Sequence, residues 1–345
     1  MSKKRLWTWC VLFAVTLALQ ACASSADTAV PSQTQSPAGQ AETALRWPKD
    51  KLETDGRGAP LLRVYVTEQE AVERMDVETY VQGVLAGEMK NTWPLEALKA
   101  QAILARTFVL KFVEEKESKY QGADVSTDIE EAQAYDAAAV NQRIRQAVEE
   151  TRGLVLNAGG TLPYAWFHAH SGGMTELAKA GLNWEREEPP YTQATESREP
   201  ETVSDAADAA DATALRQAQA WEASFPLTEF AAACRKQGVT ISDQSSLTLA
   251  ITERGESGRA VTIEANGTPV NAAELRLALG STKMRSTLLT SLKVEEGQVR
   301  MAGKGYGHGV GMSQWGAYQM AEEGKSAEEI AAHYFRGVSV TRLWE

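Results

Sequence analysis

The sequence predicts an α+β protein in which mixed helices and hairpin-rich antiparallel sheets form one compact core with a groove. Short segments of alternating apolar residues are joined by turn sequences such as Asn266-Gly267, which is typical of antiparallel hairpins. Segments with apolar residues at helical spacing are separate from these hairpins, so the chain does not alternate strand and helix as a parallel sheet would. With 345 residues, it can form one large or two modest domains.

The first residues have the pattern of a secretory signal. Lys3, Lys4 and Arg5 precede an apolar run of about 14 residues, too short to span a bilayer comfortably. The run ends in Leu-Gln-Ala-Cys, which resembles a bacterial lipobox and implies cleavage before Cys22 and acylation of its thiol. An ordinary signal peptide with an incidental cysteine is the alternative. We therefore predict a lipoprotein signal peptide at residues 1–21.

Residues 22–60 are rich in Ser, Thr, Gln, Ala, Pro and Gly, and we predict a flexible tether there. The folded domain is predicted at residues 61–345. We expect an exported protein, anchored by lipid in the cell envelope, because two or more acyl chains anchor stably. If the cell has two membranes, Ala23 after the acylated Cys22 favours the periplasmic face of the outer membrane.

The net charge disfavours one class of partner, and the cysteine content argues against a disulfide. Removing residues 1–21 removes three positive charges and no negative one, which takes the formal net charge from −11 to −14. This balance disfavours a nucleic acid partner. Cys10 leaves with the signal and Cys22 is predicted to be acylated. Only Cys234 remains, so no internal disulfide is expected.

Local signals place the elements along the chain. Asp76 can cap a helix that ends at Glu88, and Pro94 suits the first position of the next helix. The predicted helices cover residues 77–88, 95–115, 139–150, 225–236, 272–279, 313–323 and 327–336. The predicted strands cover residues 61–67, 153–157, 162–170, 247–253, 259–265, 288–294, 298–302 and 338–343. Residues 185–220 are acidic, alanine-rich and poor in large apolar groups, so we interpret them as a surface insert.

Residues 303–317 are the most unusual stretch, since glycine occupies every second position from 303 to 311. If the segment is extended, Lys304, Tyr306 and His308 share one face while the other is bare backbone. Bare backbone can approach a flat ligand closely, so the segment predicts the floor of a ligand groove. A glycine-rich turn before a helix is the alternative. A phosphate loop is disfavoured, because Lys304 is not in the required spacing.

Four ordered motifs occur in the chain between Leu62 and Trp344. They are Glu88-Met89 with Trp93-Pro94-Leu95-Glu96-Ala97-Leu98-Lys99-Ala100-Gln101-Ala102 and Ala105-Arg106-Thr107; Phe167-His168-Ala169-His170-Ser171-Gly172-Gly173-Met174-Thr175-Glu176; Glu274-Leu275-Arg276 with Leu279-Gly280 and Arg285-Ser286-Thr287; and Gly-His-Gly-Val-Gly-Met-Ser-Gln-Trp-Gly-Ala from Gly307. Together they closely resemble the SpoIID/LytB family, which includes stage II sporulation protein D, a peptidoglycan lytic transglycosylase, and amidase-enhancer proteins. The family more often has serine, followed by a small hydroxyl residue or cysteine, where this chain has Ala169 and His170.

The resemblance implies cleavage of peptidoglycan glycan strands between N-acetylmuramic acid and N-acetylglucosamine, leaving a 1,6-anhydro end, preferably on strands stripped of peptides. It implies that Glu88 is the catalytic acid. Hydrolytic glycosidases typically need two carboxylates, whereas a transglycosylase uses the sugar's own 6-hydroxyl as nucleophile, so one carboxyl group suffices. To start protonated, Glu88 needs a raised pKa and apolar surroundings. A solvated carboxylate at a helix end is the alternative.

Lys99 and Arg106 are seven residues apart and share a helix face. A cationic pair would bind the lactyl carboxylate that stripped muramic acid exposes, although both can equally be surface cations. The residues expected to contact the glycan are Lys99, Arg106, His168, Ser171, Thr175, Lys304, Tyr306, His308, Ser313 and Gln314. We also considered Tyr306, Trp93 and Trp315 for sugar stacking, against the alternative that the tryptophans are core residues.

His168, His170 and His308 could bind a metal, but no cysteine lies near them in sequence, and we favour hydrogen-bonding or sugar-facing roles. No metal or other cofactor is expected. Ser171 lacks a GxSxG elbow and an identifiable acidic partner, which disfavours a nucleophile. The alternative function is a non-catalytic, glycan-binding enhancer of an N-acetylmuramoyl-L-alanine amidase, for which the same groove would serve.

Overall fold

The computed structural model describes residues 45–202, 209–243 and 246–345. The predicted signal peptide and Cys22, the predicted acylation site, lie outside the described residues. Within these ranges, none of the helices combines the length and the apolar character that crossing a bilayer requires.

The secondary structure is a mixture of helices and short strands. The helices are α1 (Val77–Glu88), α2 (Leu95–Glu115), α3 (Gln142–Glu150), α4 (Ala178–Leu182), α5 (Ala209–Gln219), α6 (Leu227–Arg235), α7 (Ala272–Leu279), α8 (Gln314–Glu322) and α9 (Ala327–Tyr334). The strands are β1 (Glu53–Thr54), β2 (Pro60–Val66), β3 (Ala71–Asp76), β4 (Val125–Ser126), β5 (Leu154–Asn157), β6 (Phe167–His168), β7 (Trp221–Pro226), β8 (Leu249–Arg254), β9 (Ala260–Ala265), β10 (Thr268–Asn271), β11 (Leu289–Glu295), β12 (Gln298–Gly303), β13 (Met312–Ser313) and β14 (Ser339–Arg342).

Most strands pair with their sequence neighbours in antiparallel sheets. β2 pairs with β1 and β3, β9 lies between β8 and β10, and β12 lies between β11 and β7. Two parallel pairings join distant segments, β2 with β4 and β6 with β13. The predicted α+β class is confirmed.

The buried apolar side chains form two clusters. The first combines residues 52–165 and 312–344 with two residues of α5. The second lies within residues 221–301. The first therefore consists of two chain segments separated by the second, and the segments that connect the clusters, residues 166–199 and 303–312, carry most of the polar side chains discussed below.

Local capping signals placed several helices correctly. The Asp76 carboxylate accepts hydrogen bonds from Glu78 N and Thr79 N at the start of α1, and Asn271 caps α7. Ser326 and Glu329 form the predicted capping box of α9. These caps are local contacts, which explains why the sequence alone identified them.

Two predictions are wrong because long-range contacts decide them. β5 was expected to form a hairpin with residues 162–170, but it pairs with β14 instead. The tether was expected to extend to residue 60, but Leu52 and Ala59 are buried, and the Trp47 ring lies 5.9 Å from that of Trp344. The folded region thus includes residues before the predicted boundary.

Candidate active site

Glu88 is the last residue of α1 and is partly buried. Its Oε1 accepts a hydrogen bond of 2.7 Å from Ala134 N, and its Oε2 accepts one of 3.5 Å from Gln314 Nε2. Burial raises the pKa of Glu88 to about 7, while these two hydrogen bonds act in the opposite direction. The carboxyl group can therefore hold a proton near neutral pH, as the sequence analysis required of a general acid.

Two glycines of α1 bring Ala134 close to this carboxyl group. Gly83 and Gly87 lie one turn apart, on the same helix face. A Cβ at Gly83 would lie 2.2 Å from the Tyr135 ring, and one at Gly87 would lie 2.6 Å from Tyr135 N. Because both positions lack side chains, the loop that contains Ala134 and Tyr135 lies directly on α1.

The glycine-rich segment is not the extended ribbon that we predicted. Its glycines between 305 and 311 have positive φ angles of 70° to 109°. Their bare face is covered by protein: a Cβ on Gly311 would lie 2.0 Å from Trp166 O, and one on Gly309 would lie 2.3 Å from Arg259 Cζ. This face cannot be the floor of a ligand groove, since the glycines are needed for close packing within the protein.

The other side chains of the segment remain accessible. Lys304 is exposed, and Tyr306 and His308 are partly exposed. The Arg285 guanidinium lies 5.3 Å from the centre of the Tyr306 ring, a cation–π arrangement. Lys304, Tyr306 and His308 thus stay candidates for contact with a ligand.

Glu199 connects two of the predicted motifs, although the sequence analysis did not identify it. Its Oε1 accepts hydrogen bonds from Ser171 N (2.8 Å), from Ser171 Oγ and from Ser313 Oγ (2.9 Å), and its Oε2 accepts one from Gly173 N (3.1 Å). The side chain is 4% exposed. The same carboxyl group therefore binds the loop after His170 and the first turn of α8.

Six of the residues predicted to contact the glycan are buried instead: Arg106, His168, Ser171, Thr175, Ser313 and Gln314. The hydroxyl groups of Ser171 and Ser313 both donate to Glu199. Thr175 Oγ1 donates to Gln193 O over 2.9 Å. Ser171, Ser313 and Thr175 are fully buried, so they hold the site together from within and do not present their side chains to a ligand. Gln314 is also buried, and its amide contacts Glu88.

The three histidines differ in the hydrogen bonds of their Nδ1 atoms. His168 Nδ1 lies 3.1 Å from Val310 O, so it carries the proton. His170 Nδ1 accepts from Gly172 N, and His308 Nδ1 accepts from Val310 N. Burial lowers the pKa of all three, in His308 to about 3, which makes them neutral at physiological pH. No group of three or more metal-binding side chains is found among the described residues.

The predicted cationic pair is not a substrate site. Arg106 is fully buried, and its Nη2 lies 2.6 Å from Glu78 Oε2. Lys99 contacts two carboxylates, Glu96 at 2.7 Å and Glu150 at 2.5 Å. Arg106 cannot reach a ligand, because it neutralises a buried glutamate. Lys99 is held by its ion pairs with Glu96 and Glu150.

The stretch interpreted as a surface insert contributes buried groups. Besides Glu199, Asp211 on α5 is buried; it pairs with Lys90 at 3.1 Å and accepts a hydrogen bond of 3.4 Å from Trp93 Nε1. Trp93 itself is buried, with its ring centroid 4.5 Å from that of Trp315. Both tryptophans are core residues rather than platforms for sugar stacking. Asp211 fixes the loop that follows Glu88.

The fold and the site define an α+β protein with a carboxyl group of raised pKa, that of Glu88, set between a loop on α1 and the start of α8. Comparison with known proteins agrees with the motifs that surround this group. A protein-family model described as stage II sporulation protein (SpoIID) matches residues 65–157. A second one, described as a domain of unknown function (DUF8618), matches residues 178–311.

Three relatives extend the match over most of the chain. Stage II sporulation protein D of Bacillus amyloliquefaciens is 31% identical over 303 residues, 81% of this chain and 78% of the relative. An uncharacterized protein of Brachyspira hyodysenteriae is 30% identical over 78% of this chain and 67% of the relative. The amidase enhancer of Bacillus subtilis is 28% identical, and the match covers 76% of this chain and 40% of that protein. The chain belongs to the SpoIID family.

Proposed function

We propose that this protein is a peptidoglycan lytic transglycosylase that cleaves glycan strands with Glu88 as general acid and base. The main support is the environment of Glu88: the partly buried carboxyl group has a pKa raised to about 7 and touches Gln314 of the glycine-rich motif. A general acid works best with a pKa near the working pH. Membership of the SpoIID family supports the same activity.

The proposed reaction needs only this carboxyl group. Protonated Glu88 gives its proton to the glycosidic oxygen as the bond from that oxygen to C1 of the muramyl residue breaks. The 6-hydroxyl oxygen of the same residue attacks C1, and its proton returns to the Glu88 carboxylate. The products are a 1,6-anhydro-muramyl end and a free 4-hydroxyl on the neighbouring sugar, so no water is consumed and the acid is regenerated.

Glu199 is not a suitable second catalytic carboxylate. Its oxygens already accept four hydrogen bonds from Ser171, Gly173 and Ser313. A nucleophile for the sugar, or a base that takes a proton from water, needs a carboxylate oxygen accessible to the substrate, whereas the Glu199 side chain is only 4% exposed. A mechanism with one acid and an internal nucleophile therefore fits the side chains better than a hydrolytic mechanism with two carboxylates.

The proposed preference for stripped glycan needs a cation other than Arg106. Lys304 is exposed, at the start of the glycine-rich segment. Its ammonium group is a suitable partner for the lactyl carboxylate of muramic acid without a peptide. We propose Lys304, together with Tyr306 and His308, as the contact surface for the strand.

Export and anchoring are part of the proposal. Cleavage before Cys22 and acylation of its thiol would place the domain in the cell envelope, next to its substrate. Metabolic labelling with a fatty acid should mark the wild-type protein and leave Cys22→Ser unlabelled. Labelling of the Cys22→Ser variant would contradict the anchor while leaving the catalytic proposal intact.

The activity is tested with purified protein that lacks residues 1–21 and with sacculi pretreated with an amidase. Mass spectrometry of the released fragments should find 1,6-anhydro-muramyl ends with the wild-type protein and none with Glu88→Gln. Reducing ends produced by water would instead indicate a hydrolase.

A second candidate function is supported by the match to an amidase enhancer. In that case the protein would bind glycan and increase the activity of a separate cell-wall amidase without cleaving the strand itself. Wild-type protein and Glu88→Gln would then bind sacculi equally and raise the rate of the amidase equally, and neither would release anhydro ends.

A further inference from the structure

The carboxyl group of Glu199 is connected to that of Glu88 through two consecutive residues, Ser313 and Gln314. Ser313 Oγ donates to Glu199, and Gln314, the next residue, donates to Glu88. Ser313 Oγ also accepts from Gly316 N and so caps α8. The position of the Gln314 side chain thus depends on a hydroxyl group that Glu199 holds.

Glu199 also fixes the loop on its other side. Gly172 and Gly173 have φ angles of 81° and 111°, a backbone conformation that other residues rarely adopt. Both Ser171 N and Gly173 N donate to the Glu199 carboxyl group. The tight turn after His170 is therefore built around this side chain.

The segment that carries Glu199 is itself firmly held. Ser197 N donates to Gly173 O over 3.0 Å, and Ser197 Oγ lies 2.8 Å from the Tyr334 hydroxyl of α9. Thr175 N donates to Thr195 O over 2.9 Å. These contacts tie the segment before Glu199 to residues 173–175 and to Tyr334 of the first cluster, so the Glu199 carboxyl group is held in a fixed position.

We propose that Glu199 is a positioning residue for Glu88: it holds Ser313, and through Ser313 it places the Gln314 amide against the catalytic carboxyl group. This inference rests on the proposed role of Glu88. The role of Glu199 can be tested through the pKa of Glu88, because the hydrogen bond from Gln314 lowers the proton affinity of Glu88. Loss of Glu199 should change the acidity of Glu88 as well as the rate.

Glu199→Gln is the first variant, since it keeps the shape but replaces one acceptor oxygen by an amide that cannot accept. We expect kcat to fall by about 100-fold, as a small misplacement of a catalytic group can cause, with KM changed less than about threefold. The alkaline limb of the pH–rate profile should move to higher pH. Glu199→Asp, which keeps both oxygens, should recover part of the rate.

Glu176→Gln is the matched control. Glu176 is also fully buried and accepts hydrogen bonds from Ser257 N and Ser257 Oγ, but it has no described contact with Ser313 or Gln314. Its replacement should lower stability without moving the alkaline limb. If Glu176→Gln and Glu199→Gln had the same profile, or if the limb stayed in place in Glu199→Gln, the positioning role would be refuted.

Two further measurements keep the test decisive. Should Glu199→Gln fail to fold, Ser313→Ala cuts the same link and should move the limb in the same direction. The double variant Glu199→Gln/Gln314→Ala should have the same limb as Gln314→Ala alone, because both changes remove one interaction. A further upward move in the double variant would show that Glu199 acts by another route.

The acidity of Glu88 can also be measured without substrate. Carbon-13 NMR of protein with labelled glutamate carboxyl groups, assigned with Glu88→Gln, gives the pKa of Glu88 directly. A higher pKa in Glu199→Gln would support the positioning role even if no anhydro ends are formed. If the pKa of Glu88 were unchanged in Glu199→Gln while the wild-type protein cleaved glycan normally, the positioning role of Glu199 would be refuted and the proposed function would still hold.

Discussion

Glu88 and Gln314 are 226 positions apart in the chain, and their side chains meet at 3.5 Å between Oε2 and Nε2. This contact brings together the end of α1 and the start of α8, which carry two of the four motifs. It also places a donor beside a carboxyl group whose pKa burial has raised to about 7. The proposed chemistry depends on this balance between burial, which favours the protonated form, and hydrogen bonds that favour the ionised form.

Glu88→Gln should make the protein more stable at alkaline pH. The carboxyl pKa rises from 4.5 to about 7 on folding, so the native state loses stability relative to the unfolded state as the pH rises between these values. The neutral amide removes that loss. We expect a gain of about 1 to 3 kcal/mol in the free energy of unfolding at pH 8, and none near pH 4, measured by denaturant unfolding. A gain of equal size at both pH values would contradict the raised pKa.

Arg106→Met should destabilise the fold without a specific effect on glycan binding. The substitution leaves Glu78 buried without its cation, and breaking a buried pair costs about 3 to 5 kcal/mol. Urea unfolding measures the loss. Lys99→Ala serves as the control, since its pairs are partly exposed and should contribute less than about 1 kcal/mol. If a folded Arg106→Met variant bound stripped glycan much more weakly than wild type, the predicted contact between Arg106 and the lactyl carboxylate would be supported after all.

Gly311→Ala should be far more damaging than Gly324→Ala. Both glycines have positive φ, 70° and 82°, but a Cβ at Gly311 would lie 2.0 Å from Trp166 O, whereas one at Gly324 meets nothing within 4 Å. The backbone alone costs about 1 to 2 kcal/mol in each case. We expect Gly311→Ala to lose at least about 2 kcal/mol more, or not to fold, as measured by thermal and chemical denaturation. Equal losses would mean that the segment can move away from Trp166.

Lys304→Ala should weaken binding to stripped glycan by about three- to tenfold, consistent with the loss of one exposed charge contact. The effect should shrink as salt screens the interaction and should be absent on strands that retain their peptides. Lys325→Ala, which removes an exposed cation paired with Glu329, is the control and should bind normally. Sedimentation with sacculi measures both. An equal loss on stripped and intact strands would remove Lys304 as the carboxylate contact.

The parts of the fold that local sequence determines were predicted well. Asp76, Asn271 and the capping box at Ser326 act on residues within one helical turn, and the hairpin of β8 with β9 follows from adjacent strands. Glu88 was identified through its motif. Its partner Gln314 was predicted to contact the glycan rather than the acid, because the contact depends on the packing of two remote segments.

The missed residues are those whose role depends on distant partners. Glu199 is one of 46 acidic residues, in a stretch poor in large apolar groups, and nothing local distinguishes it. The sequence does contain a signal in the partner of Glu199, the Ser171-Gly172-Gly173 turn. The N–H groups of a buried turn need an acceptor, and here Glu199 is that acceptor. Arg106 was misassigned because its partners also lie elsewhere in the chain: its guanidinium binds Glu78 and Leu154 O of β5, and the Trp344 indole contacts Glu78.

The Trp344 indole donates to Glu78 over 2.9 Å, completing the surroundings of the buried Glu78–Arg106 pair. Glu78 and Arg106 lie within the 65–157 family match, whereas Trp344 is contributed from beyond residue 311, after the whole second cluster. A fragment limited to residues 65–157 would therefore lack the indole that covers Glu78, and the Glu78–Arg106 pair would be only partly enclosed. Studies of autonomous folding, and any transplant of the motif into another scaffold, should carry residues 45–345 as one unit.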